Sequence, residues 1–217
     1  MRALTARKRT RIAPGVSSPS IFSGVMHRFA RDLAIDPRIA YQLWAERAHE
    51  ACVRRASLES NVRPAILVGT QLIAGRTYVS FSDNGAALGG GEIKQVYAAL
   101  QAGVVEQTRT ALVAQGIDAA RSILGRLGVA MLGAFLIADM VTIKTRSGTD
   151  TGTRYTCSSA TYTAEPYQIA RAGTVVQLRM RVERETLGDI AVVRDVLSTR
   201  KRLTPIVIGT EATPINA

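Results

Sequence analysis

A chain of 217 residues, 47% of them hydrophobic, is long enough to bury one large core and short for two. Its 28 lysines and arginines against 17 acids give a formal charge of +11, which favours phosphate-bearing ligands, nucleic acid or acidic protein surfaces. No apolar run reaches the roughly 18 residues of a membrane span, and Cys52, Cys157, His27 and His49 offer no zinc spacing, so neither a transmembrane segment nor a zinc site is expected.

Residues 1–31 contain no acid and are rich in Arg and Ser. They fit a solvated basic arm, placed over 1–20, ahead of a single domain over 21–217. They also fit an organelle transit sequence, which would place the protein in an organelle matrix rather than the cytoplasm. No signal-peptide core is present, and the two cysteines suit a reducing compartment as free thiols. Ser18 or Ser20 could cap a short helix. Asp36-Pro37 then predicts a helix start, because Asp caps well and Pro suits the first helical position. In the helix that follows, "PRIAYQLWAERAHEACVRRASL", Ile39, Leu43, Ala48 and Cys52 fall near one face, with Arg47, Glu50 and Arg54 turned elsewhere.

Strands are predicted over 63–73 and 76–83, joined by Ala74-Gly75 as a hairpin. A helix over 91–100 follows a glycine-rich turn. Residues 104–123 have helical propensity but weak patterning, with Gly116 in the middle, which suggests a mobile segment rather than a core helix. The run "LGVAMLGAFLIADMVTI" (127–143) reads as the end of a buried helix, 124–138, continuing into a buried strand. Strands near 139–146, 153–162 and 174–182, a helix over 185–200 and a last strand over 204–209 complete the chain. Helices early and hairpin-like strands later predict an α+β sandwich, with a mostly antiparallel sheet covered on one face by helices.

Three local motifs carry chemistry. Asp83-Asn84-Gly85 ends a strand; alone it is most simply a turn, since Asn and Gly accept positive φ. "GRLGVAM" (125–131) puts glycines where a helix begins, an arrangement that either exposes amides to phosphate or permits close helix packing. "AGTVVQLRM" (172–180) sets Gly-Thr at the head of a strand.

In this order, the motifs resemble the nucleotide-binding domain of the heat-shock-90 chaperones, of the GHKL superfamily of ATPases with its Bergerat-type sandwich. "YVSFSDNGAAL", "ILGRLGVAMLGAFLIADMVTIKTR", "GTVVQLRM" and "LGDIAVVRDVLSTRKRLTPIVI" carry the resemblance over 36–209. A histidine-kinase catalytic domain fits the strand order after Thr174 less well. The resemblance implies ATP or ADP as ligand and a role in chaperone function and the stress response. It implies Asp83 as acceptor of the adenine amine, Gly85 where the backbone meets the base, Leu88 beneath the base and Thr174 at the shared water. Gly128, Val129 and Arg126 would then lie at the phosphates.

Departures from the family pattern are concentrated at the catalytic end. Ala87, Ala102 and Ala130 stand where the family has Gly, Lys and Gly, and Arg126 where it has Gln. Aligned without gaps, the family's acid, metal-ligating Asn and Asp fall on Leu43, Arg47 and Glu50. A shifted register instead offers Glu46 as catalytic acid and Glu50 as metal ligand. Leucine cannot activate water and arginine cannot ligate Mg2+, so the gapless register argues against the Mg2+ and the hydrolysis that the family implies. The matched region closes where the family's middle and dimerisation domains begin, so a full chaperone cycle is not expected. Two functions follow: an ATP-binding domain with weak or lost hydrolysis, or a degenerate module that docks through its basic surface onto a protein partner or nucleic acid. No RNP-type or zinc-finger motif supports the nucleic acid.

Overall fold

The computed structural model describes residues 36–216, without 102, 103, 149, 150 and 212. The basic arm, the expected Ser18/Ser20 helix, His27, Ala102 and Gly103 lie outside the described residues.

Helix α1 (Ile39–Ala56) begins where Asp36 turns back on it: its Oδ1 accepts from the Arg38 amide at 2.9 Å and its carbonyl from the Ile39 amide at 3.0 Å. Arg54 and Arg55 in the last turn suit the negative end of the helix dipole. Leu43, Ala48 and Cys52 are buried on the expected face.

Strands β1 (Ile66–Ile73) and β2 (Arg76–Asp83) pair antiparallel around Ala74 and Gly75, both at positive φ. That two-residue turn matches the right-handed twist of the strands it joins. Helices α2 (Gly90–Gln101) and α3 (Val104–Gln115) come next. The 21-residue α4 (Ile117–Ile137) is kinked at Gly125, whose φ of 72° and ψ of 166° are not helical. By length and composition α4 could cross a membrane, yet 72% of its apolar window is buried inside the fold. After the kink, Leu127 to Ile137 are all buried.

The chain passes directly into β3 (Ala138–Arg146), then β4 (Gly152–Cys157), β5 (Tyr162–Tyr167) and β6 (Gly173–Met180). A 3-10 turn (Val182–Gly188), α5 (Ile190–Ser198) and β7 (Ile206–Ile208) follow. The protein is thus α+β, with a seven-stranded sheet ordered β5-β4-β3-β6-β2-β1-β7. All neighbours are antiparallel except β1 and β7.

The strand period of two decides where the helices go. Val79, Phe81, Val141, Ile143, Val176 and Leu178 point into the core, while Ser80, Thr142, Lys144 and Gln177 stand half-exposed on the other face. Helices α1 and α4 pack against each other and meet the sheet through β1, β2 and β3.

Two predicted elements differ. The strand placed over 153–162 is two strands, β4 and β5, turned between Cys157 and Tyr162. Pro166 argues against a strand, but β5 is an edge, where a missing amide donor is tolerated. The helix placed over 185–200 breaks at Gly188. Asp189 starts α5, its Oδ1 accepting from the Ala191 amide at 2.8 Å.

Candidate functional site

At the end of β2, the Asp83-Asn84-Gly85 turn is fastened on both sides. Asn84 Oδ1 accepts from the Ala65 amide at 2.9 Å and its Nδ2 donates to the Arg63 carbonyl at 2.8 Å. Gly85 lies so close to α1 that a Cβ there would overlap the backbone of Ala51 and Cys52, and the Ala86 amide donates to the Ala51 carbonyl at 2.8 Å. Glycine is therefore demanded here by helix contact, whatever ligand the turn faces. Gly173, at φ 128°, passes equally close to the Asp83 carbonyl.

Asp83, Leu88 and Thr174 line one small cavity together with Trp44, Arg47, Ala48, Ala51, Phe81, Ile143 and Val176. Leu88 and Thr174 are buried. The Asp83 carboxylate accepts the Gly85 amide at 2.9 Å, and burial pushes its pKa up to about 7 despite that bond and the nearby Arg47 charge. Thr174 Oγ1 is 3.1 Å from Thr145 Oγ1, which accepts the Leu88 amide at 2.8 Å. Trp44 is buried, with no hydrogen-bond partner at Nε1 among the described residues. The cavity has about 20 Å3 of accessible space, room for about one water.

A far larger cavity, about 620 Å3, adjoins it, and Arg47 lines both. Its walls are Arg47, Glu50 and Arg54 from α1, Glu92 and Gln95 from α2, and the kink of α4 around Arg126. Positions 47, 50 and 54 are spaced by three and four, so one helical face presents all three. Arg47 Nη2 donates to Glu92 Oε2 at 3.0 Å, and Arg126 pairs with Glu50. Among the described residues, Arg54 has no ion pair.

The other sequence-predicted residues are placed as follows. Arg126 and Glu50 line the large cavity and Gly85 sits beside the small one. Gly128 and Val129 line neither: Gly128 abuts the Leu124 side chain, where a Cβ would overlap, and Val129 is buried. Glu46 also lines neither; it accepts from Gln42 Nε2 at 2.7 Å and pairs with Arg121. Leu43 is buried against Gly133 of α4, and the Ala130 methyl is in the core. Among the described residues, no three His, Cys, Asp or Glu side chains gather as a metal site. Cys52 and Cys157 are buried free thiols whose pKa values burial raises to about 11 and about 12, which keeps them protonated at neutral pH.

The sequence reading did not anticipate Trp44, Arg54, Glu92 or Thr145 at the site. Arg47 and Arg54 were legible as a shared charged face; Glu92 and Thr145 reach the site only through the fold. No family model matches the chain, and a search of curated proteins finds no match.

Proposed function

We propose that this chain is a nucleotide-binding domain of heat-shock-90 type, with the Bergerat sandwich of the GHKL superfamily, that binds ATP or ADP and has weak or lost hydrolysis. The observation that carries the reading is a half-buried carboxylate, Asp83, with Thr174 at its side, in a small cavity that shares Arg47 with a larger one walled by arginines. A purine amine is a donor that such a carboxylate lacks, and a polyphosphate is the anion that arginines lack. The base end has room for about one water, so a base enters only as Leu88 and its neighbours give way.

The hydrolytic end is weaker. At the gapless positions, Leu43 is buried and Arg47 is a cation, while the acids Glu46 and Glu50 are tied to Arg121 and Arg126. Mg2+ needs oxygen ligands, and the carboxylates in this wall, Glu50 and Glu92, are already engaged by Arg126 and Arg47. The closed base cavity also favours a second reading, a degenerate module that docks onto a protein or nucleic acid through its basic surface.

Titration with a fluorescent ATP analogue separates the two. Saturable binding that is lost in Asp83→Asn supports the nucleotide site; no binding at millimolar analogue overturns it.

A further inference from the structure

The large cavity is lined by three arginines and two glutamates, one more positive charge than negative. Its cations are held in two different ways. Arg47, with its side chain only 11% exposed, is balanced by Glu92; Arg126, 61% exposed, is balanced by Glu50; and Arg54 is unbalanced among the described residues. The two carboxylates of the wall, Glu50 and Glu92, each already face an arginine, Arg126 and Arg47.

We propose that this cavity binds a polyphosphate chain free of metal: Arg47, Arg54 and Arg126 take the phosphate oxygens, and Glu50 and Glu92 are displaceable counter-ions that leave their arginines as the anion enters. The proposal rests on the nucleotide reading for the base end alone, because the arginine cavity would take the same chain from a nucleoside triphosphate or from inorganic triphosphate. Guanidinium groups suit the task, since each can make two parallel bonds to phosphate oxygens. Mg2+ on the phosphates would cancel the negative charge that the three arginines attract, so it competes with binding rather than assisting it.

The test is calorimetric titration of the full chain with ATP in EDTA, ATP in millimolar Mg2+, inorganic triphosphate in EDTA, and adenosine. ATP in EDTA should bind about tenfold more tightly than in Mg2+. Arg54→Ala, a change at an exposed side chain, should weaken ATP and triphosphate by about tenfold and adenosine by far less. Glu50→Gln, which releases Arg126, should strengthen both polyphosphates. Binding of ATP that requires Mg2+, or triphosphate that does not bind in EDTA, overturns the proposal even if adenosine binds. Triphosphate binding without adenosine or ATP binding sustains the arginine cavity and overturns the nucleotide reading. Silence from all four ligands overturns both.

Discussion

Asp83 is the residue on which most turns, and its environment makes two measurable demands. Burial holds its pKa near 7, against 3.8 for an exposed aspartate, so the folded protein keeps a proton that the unfolded chain releases between those values. Folding stability from this group is therefore present below about pH 4 and lost as pH rises through 7. Asp83→Asn should remove that loss, so above pH 7 the variant should be more stable than the parent, by at most about 4 kcal/mol. Urea melts at pH 5 and pH 8 measure it, and an unchanged difference between the two proteins refutes it. The same carboxyl accepts a purine amine more strongly when ionised than when protonated. Adenosine, with no titrating group in the range, should then bind more weakly at pH 6 than at pH 8, and equal affinity at the two would refute the role of Asp83. At Gly85 the constraint is steric: a methyl there would sit in the backbone of α1, so Gly85→Ala should cost about 3 kcal/mol, read as a lower urea midpoint.

At the scale of elements, what was legible followed local rules, and what was not depended on distant partners. The α1 start, the Ala74-Gly75 hairpin and the passage from α4 into β3 are written in caps, turn residues and period. β5 was hidden because Pro166 is acceptable only at an edge, and edges are defined by the whole sheet. The helix predicted over 185–200 is shorter in the fold, because the Asp189 carboxylate caps a new helix at Ile190. The site divides in the same way. Asp83 was visible in its turn, whereas the Arg47–Glu92 pair spans 45 residues and needed α2 to be placed. The glycines of 125–131 read equally as phosphate amides or as close helix packing, and only the family resemblance favours the first. The structure gives Gly128 to packing and Gly125 to the kink that shapes the cavity wall. A side chain at Gly125 would meet no neighbour but would be forced to a φ of 72°. Gly125→Ala should thus cost about 1–3 kcal/mol by backbone strain alone, and should lower triphosphate affinity as the wall shifts. Unchanged stability would mean that the kink does not depend on glycine. Another joint ties α1 to the chain before β7: His49 Nδ1 accepts from the Thr204 amide at 2.9 Å, and burial lowers its pKa. That stability is complete above about pH 6.5 and is lost as acid protonates the ring, so His49→Gln should flatten the fall in melting temperature below pH 6.5.

For the whole molecule, the two cavities lie where the helical layer meets the sheet: α1, α2 and the α4 kink wall the larger, and α1, β2, β3 and β6 the smaller. A ligand bridging both would hold every layer of the fold in its native place, and so should protect the protein as a unit rather than stiffen one loop. At a free concentration one hundred times its dissociation constant, such a ligand adds about 2.7 kcal/mol to stability. For a chain of this length that corresponds to a rise in melting temperature of roughly 5–10 °C. The net charge of +11 sharpens the expectation. Arg54 and Arg126 stand near solvent, so their share of the attraction is screened by salt, while that of the enclosed Arg47 persists. The thermal shift from ATP in EDTA should therefore shrink, without vanishing, between 50 mM and 500 mM salt. The shift from adenosine, which carries no charge for the arginines, should hold constant across that range. A shift that disappears wholly with salt would point to loose binding on the basic surface and away from the Asp83 cavity; a shift confined to adenosine would leave the arginine cavity without a ligand.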